Sequence, residues 1–157
     1  MTATPTPPSD PSTWTLPRLR IDRDGIWYHD DAEVTHAGIL ANLRENLRVD
    51  AEGHYLQIGP VRVPVEVEDA PFVVERVEVE GSGLAATLND LTREPLALDT
   101  LRVDERGIPR CRVKNGRFDA RLSRAATYQL LQRAETPEGG GPAALVVSGR
   151  RYPVPGL

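Results

Sequence analysis

The sequence contains an internal repeat, which constrains the fold more than any other feature. Leu19–Ile26 and Leu101–Ile108 share the pattern Leu-Arg-(Ile/Val)-Asp followed by Gly-Ile, and the second copy begins 82 residues after the first. Near the end of each copy, Arg62–Val65 matches Arg151–Val154 at a spacing of 89 residues. The seven additional residues fit the glycine-rich stretch 138–142. Matching patterns in the same order along the chain indicate two copies of one structural unit.

Each copy begins with a predicted β-hairpin. The first hairpin turns at Arg23-Asp24-Gly25, because glycine accepts the positive φ that tight hairpins require. The second turns at Arg106-Gly107, and Asn115-Gly116 is a further hairpin signal after it. We therefore expect antiparallel strands on both sides of these turns.

Each copy also predicts one helix behind a capping residue. Thr35 is the predicted N-cap of the first helix and Asp119 that of the second, since both side chains can accept a free backbone N–H. Apolar residues then recur at helical spacing, which predicts one buried stripe on each helix. The stripe residues are Ile39, Leu40, Leu43 and Leu47 in the first copy and Leu122, Ala126 and Leu130 in the second, with Leu131 as a further candidate.

These elements predict an α+β protein of two tandem, structurally similar units, each with one helix packed on antiparallel strands. Residues 1–17 form a Pro/Thr-rich tail that we expect to be disordered, because five prolines interrupt regular pairing. The first unit is predicted at 18–90 and the second at 91–157. Phe72–Glu80, which alternates valine with charged residues, is a predicted half-buried strand between the repeated patterns.

Composition restricts the class of protein. Cys111 is the single cysteine, so an intramolecular disulfide is excluded. The first 17 residues have no basic start or apolar run, and no segment approaches the ~20 apolar residues of a membrane helix. We expect a soluble cytoplasmic protein with no membrane contact.

Charge is divided unevenly along the chain, although the formal net charge is only −4. Residues 50–90 hold nine acids and two arginines, whereas residues 101–133 hold nine bases and three acids. Two interpretations stay open: solvated strand faces that attract each other, or a basic groove for an anionic ligand. For a groove, the predicted ligand-binding arginines are Arg112, Arg121 and Arg124.

Four short motifs resemble a bacterial family, the domain of unknown function 1285 (DUF1285) family. They are Asp24–Tyr28, Val67–Phe72, Thr87–Asn89 and Val147–Gly149, within a matching order of elements from about residue 18 to 153. The loop 30–35 and the start of the second helix depart from the family pattern, so the chain resembles a divergent member. The resemblance implies a fold of two repeated motifs and no established activity. A role in signal transduction has been suggested for that family.

Two further features are candidate sites. Glu68 and Asp69 are neighbouring carboxylates at a strand break, suited to acid–base chemistry, to holding a cation, or to capping a turn before Pro71. Trp27 and Tyr28 follow a turn and could form a recognition surface. Because neighbouring strand residues face opposite sides, we expect one of the two rings to be buried and the other exposed.

Other sites have little support in the sequence. The Glu138–Pro142 stretch lacks the lysine and hydroxyl of a phosphate-binding loop. The histidines His29, His36 and His54 lack metal-ligand spacing, so we predict neither a metal site nor a cofactor. Cys111 lies in a predicted strand, where it is interpreted as a small buried hydrophobe. No catalytic residue is predicted.

The leading functional hypothesis is therefore a non-enzymatic module that binds a small anionic ligand or a protein partner, with a role in signal transduction. Its candidate residues are the three arginines together with Trp27 and Asp69. An alternative is a small-molecule enzyme that uses Glu68 or Asp69 with a histidine. Nucleic-acid binding by the basic second unit ranks third, because the chain is acidic and this region lacks an aromatic platform. An exposed edge strand could also pair across a homodimer.

Overall fold

The computed structural model describes residues 16–136, 138–141 and 143–156. The predicted tail, 1–17, lies outside these residues except for its last two. The described chain divides into two compact units. The first contains the residues up to Asp22 together with Ile26–Glu68, and the second contains Arg23–Gly25 and the residues from Asp69 onward.

Each unit contains one α-helix and one six-stranded sheet. The elements of the first unit are β1 (Leu19–Ile21), β2 (Trp27–His29), β3 (Ala32–Glu33), α1 (Ala37–Asn46), β4 (Leu47–Asp50), β5 (Gly53–Ile58) and β6 (Val61–Val67). Those of the second are β7 (Phe72–Glu80), β8 (Gly83–Leu88), β9 (Arg93–Pro95), β10 (Arg102–Val103), β11 (Pro109–Val113), β12 (Phe118–Leu122), α2 (Arg124–Leu131), β13 (Ala134–Glu135), β14 (Ala144–Val147) and β15 (Arg150–Pro153). The α+β class and the two-unit organisation are thus confirmed.

The first unit is a sheet with the strand order β3-β2-β1-β6-β5-β4. Its core is the apolar side of this sheet, which includes Ile21, Trp27, Leu47 and Leu56. The strands are not all antiparallel as predicted, because β1 pairs with β6 in parallel. Helix α1 buries none of its residues, and Leu47 of the predicted stripe begins β4 instead. The prediction of a helix packed by a buried stripe was therefore wrong for this unit.

The second unit has the strand order β10-β11-β12-β7-β8-β9 and a separate three-stranded sheet, β13-β14-β15. β7 pairs with β12 in parallel, so this sheet is also mixed. The predicted boundary between residues 90 and 91 falls between β8 and β9 of this sheet. Helix α2 buries Ala126 and Leu130, as its periodicity predicted. Neither α1 nor α2, the α-helices of the described chain, is long and apolar enough to cross a membrane.

The repeated sequence pattern forms the same hairpin turn in both copies. The backbone N–H of Asp22 donates to the Ile26 carbonyl at 2.9 Å, and that of Asp104 donates to the Ile108 carbonyl at 3.0 Å. In each turn the aspartate Oδ1 accepts the returning isoleucine N–H at 3.0 Å. The glycine before the isoleucine has a φ of about +80° in both copies. The aspartate, glycine and isoleucine of the repeated pattern therefore have the same roles in both turns.

The closing segments also correspond. In the first unit, β6 runs parallel to β1, with Ile21 opposite Val67. In the second, the N–H of Val103 donates to the carbonyl of Pro155, just after β15, at 2.8 Å. Val103 is 82 residues after Ile21, so both copies close on the same strand of their first hairpin.

Both predicted N-caps were wrong, Thr35 by one residue and Asp119 by four. Helix α1 is capped by His36, whose Nδ1 accepts the N–H of Ile39 at 3.2 Å. Helix α2 is capped by Ser123, whose hydroxyl accepts the N–H of Ala126 at 3.1 Å. Asp119 is the second residue of β12, where its carboxylate has other partners.

Replacing Gly25 by alanine should lower stability more than replacing Gly107. Both glycines have φ near +80°, where alanine costs about 1–2 kcal/mol. A Cβ at Gly25 would also lie 2.6 Å from Asn89 Nδ2 and 2.9 Å from a Val73 methyl, whereas one at Gly107 would meet nothing within 4 Å. Denaturant unfolding of the Gly25→Ala and Gly107→Ala variants measures the difference. Equal losses of stability in the two variants would show that crowding of the new Cβ against Asn89 and Val73 has no energetic cost.

Candidate functional site

One face of the second six-stranded sheet is lined by arginines from three neighbouring strands. Arg102 of β10 lies opposite Arg110 of β11, which in turn lies opposite Arg121 of β12. Alternate residues of a strand share a face, so Arg112 and Asp119 belong to the same side. The opposite side carries the buried residues of these strands, such as Cys111. We call the arginine-lined side the polar face.

The side chain of Arg110 is the buried centre of the polar face, with only 11% of its surface exposed. Its Nε lies 2.8 Å from Asp104 Oδ2 and its Nη1 lies 2.9 Å from Asp119 Oδ2. Its Nη2 donates to Asp69 Oδ1. One guanidinium therefore binds three carboxylates that come from separate segments of the chain.

Two further arginines complete this charge network. Arg102 Nη2 lies 2.9 Å from the second oxygen of Asp119. Arg121 Nη1 lies 3.8 Å from Asp69 Oδ2 and donates to the Arg23 carbonyl at 3.0 Å. Three arginines and three aspartates give the network a formal charge of zero, which is what a largely buried group of charges requires.

Asp104 and Arg110 shift each other's pKa in the direction that favours their charged forms. Hydrogen bonding from Arg110, and then from the backbone N–H of Ile108, lowers the pKa of Asp104 to about 2. Burial alone would lower the pKa of Arg110, but the bonds to Asp104 and Asp69 outweigh burial and raise it. Carboxylates and guanidinium thus stabilise each other's charged forms.

The first copy of the repeat has a different arrangement at the corresponding positions. Tyr28 lies 82 residues before Arg110, and its hydroxyl donates to Asp22 Oδ2 at 3.3 Å. The guanidinium of Arg20 stacks over the Tyr28 ring at 4.3 Å, where the second copy has Arg102 beside Arg110. A tyrosine needs only one acceptor, so the buried charge network occurs in the second copy alone.

Two other arginines lie at the tip of the β11–β12 hairpin and have no carboxylate partner among residues 16–136, 138–141 and 143–156. Arg112 donates from Nε and Nη2 to the Gly116 carbonyl at 3.3 and 3.1 Å. Arg117 donates from Nε to the Lys114 carbonyl at 3.2 Å. Lys114, by contrast, is paired with Asp90 at 2.7 Å. We call Arg112 and Arg117 the tip arginines.

The turn that carries the tip arginines is tightly defined. Lys114, Asn115 and Gly116 all have positive φ, at 56°, 58° and 77°. The Lys114 ammonium donates to Asp90 and to the Thr92 hydroxyl, at 2.7 and 2.8 Å. The turn predicted from Asn115-Gly116 is thus confirmed, and its carbonyls hold both guanidinium groups in place.

The other predicted site residues lie apart from the tip. Arg121 and Asp69 meet in the charge network, and Arg124 is exposed at the start of α2. Trp27 is fully buried in the first unit, so Tyr28 is the partly exposed ring of that pair, as strand alternation predicted. Burial removes the Trp27 ring from any surface site.

The residues of the alternative enzyme hypothesis are distributed over both units. Glu68 and the three histidines belong to the first unit, whereas Asp69 belongs to the second and binds Arg110. Cys111 is buried, and burial raises the pKa of its thiol to about 12, which confirms its interpretation as a small buried hydrophobe. Within the described part of the chain, no three His, Cys, Asp or Glu side chains are grouped to hold a metal ion.

Sequence reasoning missed Arg110, the centre of the network, and Arg117, one of the two tip arginines. Arg110 and Arg112 were both visible as alternate residues of a predicted strand, which places them on one face. Asp119 was assigned to a helix cap, so its position opposite Arg112 went unrecognised. No local signal links Asp69 to Arg110, because 41 residues separate them.

Two solved structures share this fold. A DUF1285 family protein from Silicibacter pomeroyi matches with a TM-score of 0.72 and 24% sequence identity, over 96% of this chain and 89% of its own. A DUF1285 family protein from Shewanella baltica matches with a TM-score of 0.64 and 19% identity, over 74% of this chain and 92% of its own. No protein-family model and no curated protein matches the chain. The resemblance predicted from the sequence is confirmed in the fold.

Replacing Arg110 by methionine should destabilise the protein by roughly 3 kcal/mol, because three partly buried carboxylates lose their shared partner. Arg106→Met is the matched control, since Arg106 is exposed in the neighbouring turn. Denaturant unfolding at pH 7 gives both free energies. A loss at Arg110 no larger than that at Arg106 would contradict a structural role of the network.

Stability should also fall as the pH is lowered from about 4 to about 2. The folded-state pKa of Asp104 lies below its ordinary value of 3.8, so its stabilising effect is complete above pH 4 and is lost as the pH falls through 2. Thermal unfolding midpoints between pH 2 and 7 measure this. Asp104→Asn should reduce the fall of the unfolding midpoint between about pH 4 and pH 2. Asp99→Asn, at an exposed position, should leave this fall unchanged. An identical fall of the unfolding midpoint in the unmodified protein and both variants would exclude Asp104 as the cause of the acid destabilisation.

Proposed function

We propose that this chain is a non-catalytic binding module that recognises an anionic ligand through the tip arginines, and that it acts in signal transduction. One observation supports the site above all: two guanidinium groups are held by backbone carbonyls of one turn, with no carboxylate partner among the described residues. Groups fixed in this way lose little further side-chain freedom when a ligand binds.

The pairing of charges within the network also favours the tip arginines as the anion-binding site. Arg102, Arg110 and Arg121 have aspartate partners, so an anion approaching them would compete with carboxylates already in place. Within the described part of the chain, Arg112 and Arg117 form no ion pair with a carboxylate. Guanidinium binds carboxylate and phosphate oxygens through charge-assisted hydrogen bonds, so carboxylates and phosphates are the expected ligand classes.

The absence of a catalytic role is proposed from the partners of Asp69. As the general base of an enzyme, this residue would need a carboxylate available to take a proton. Its Oδ1 accepts from Arg110 and its Oδ2 lies 3.8 Å from Arg121 Nη1. Both oxygens therefore face guanidinium groups, which favours a structural role.

Anion binding at the tip should raise the unfolding temperature in a ligand-specific way. The probes are pyrophosphate, citrate and succinate, each compared with sodium chloride at equal ionic strength. A ligand at a hundred times its Kd adds about 2.7 kcal/mol of stability. Arg117→Gln should remove this stabilisation and leave the unliganded melting temperature nearly unchanged, because its side chain is exposed.

Arg106→Gln is the control, as an exposed arginine in a neighbouring hairpin turn of the same unit. It should retain the full ligand-induced shift. Equal losses at positions 106 and 117 would indicate a general charge effect rather than a site. A lack of stabilisation by all three probes would contradict a small-anion site at the tip.

A further inference from the structure

Helix α2 has an inner and an outer face. On the inner face, Ala126 and Leu130 are fully buried, and Gln129 Oε1 accepts the N–H of Val77 in β7 at 2.7 Å. The outer face presents Arg124, Tyr128 and Leu131, spaced i, i+4 and i+7, so that they form one continuous row. We call this row the outer stripe.

The outer stripe exposes two large apolar side chains to solvent. Tyr128 is 68% exposed and Leu131 is 46% exposed, although the opposite side of the same short helix already supplies the packing that holds α2 in place. Tyrosine and arginine are the residue types most enriched where binding energy is concentrated. The stripe therefore combines an exposed tyrosine and an arginine, two residue types that are frequent at binding hot spots, with an exposed leucine.

Arg124 adds a second, electrostatic observation. It is the first residue of α2, where the helix dipole is positive and an acidic residue would stabilise. The first turn contains no acid, and Arg124 forms no ion pair with the residues that the structure describes. The arginine thus opposes local helix stability and has no local partner, whereas a carboxylate from another molecule would satisfy it.

We propose that the outer stripe is a docking surface for a short acidic segment of a partner protein. The charge of the surface selects the sign of the partner, because Arg124 is the one charged residue of α2 and it is positive. The length of the helix limits the size of the partner. Eight residues span about 12 Å, and such a face cannot supply the roughly 800 Å² per partner of a standard interface between folded proteins. A segment of about two helical turns matches it, and a second copy of this chain does not.

In this complex, the Tyr128 ring and the Leu131 side chain would be covered by apolar residues of the segment. Arg124 would pair with a carboxylate at the end of the segment near the start of α2. This carboxylate would also face the N-terminal N–H groups of α2, which favour negative charge. The proposal is independent of the tip arginines, which lie in the β11–β12 turn.

The test uses two fluorescent 12-residue peptides with the same leucines and phenylalanines, one carrying glutamates and the other lysines at all remaining positions. Fluorescence anisotropy with the full chain at 150 mM salt should detect binding of the glutamate peptide only. Tyr128→Ala should weaken this binding at least tenfold, and Arg124→Gln should weaken it severalfold. Both side chains are exposed, so circular dichroism and melting temperature should stay unchanged.

Two control variants separate this surface from other exposed groups of the second unit. Leu91→Ala removes a leucine that is 84% exposed outside α2, and Arg117→Gln removes a tip arginine. Neither should alter the affinity for the glutamate peptide. Failure of Arg117→Gln to affect the peptide also keeps this result separate from the anion-binding experiment.

Three results would overturn the proposal. These are absence of glutamate-peptide binding at millimolar concentration, equal affinity for the lysine peptide, and an equal loss of affinity in Leu91→Ala and Tyr128→Ala. Sedimentation analysis supplies a fourth. A dimer that Tyr128→Ala dissociates would assign the stripe to a second copy of the chain instead.

Discussion

The buried guanidinium of Arg110 is the constraint on which the second unit depends. Its three carboxylate partners come from the segment before β7, the β10–β11 turn and the beginning of β12. A buried charge that loses a partner is costly, so these segments must arrive together. The same requirement fixes strand register, since a shift of one residue would turn Arg110 toward the apolar side and bring Cys111 to the polar face. The network therefore specifies one pairing of these strands in addition to stabilising it.

This constraint also separates two kinds of arginine on one sheet. The arginines that face aspartates have their donors occupied and their charge offset, so they determine structure. Arg112 lies opposite Asp119, but the two oxygens of that carboxylate bind Arg102 and Arg110. Among the described residues, Arg112 and Arg117 donate to backbone carbonyls and pair with no carboxylate. A carbonyl orients a guanidinium without cancelling its charge. Anion binding is therefore expected at the tip arginines. The excess of basic residues in 101–133 identifies the region of the chain but not the site within it.

Local signals predicted most of the fold, and long-range pairings account for what they missed. The Asp-x-x-Gly-Ile turns were predictable because each interaction lies within five residues, as in Asp104 with Ile108. The strand Phe72–Glu80 was recognised with its correct limits from its valine alternation. The parallel pairs β1–β6 and β7–β12 join segments about 45 residues apart, which no local pattern records. Asp119 was misassigned to a helix N-cap for the same reason. Its partners, Arg102 and Arg110, are distant in the sequence, whereas a helix cap is predicted from the few residues that follow it.

The repeat shows how one substitution can direct a duplicated unit toward a different use. Position 28 of the first copy and position 110 of the second occupy the same place in the same hairpin, six residues after the turn aspartate. Tyrosine satisfies that aspartate with one hydroxyl and accepts Arg20 on its ring. Arginine at the equivalent place introduces a charge that must be buried, and two further carboxylates are needed to balance it. Once those aspartates are committed to Arg110, they are no longer available to the arginines further along the sheet. The burial of Arg110 therefore uses the nearby carboxylates, and Arg112 and Arg117 have no carboxylate partner among the described residues. Tyr28 in the first copy is uncharged and needs no such carboxylates.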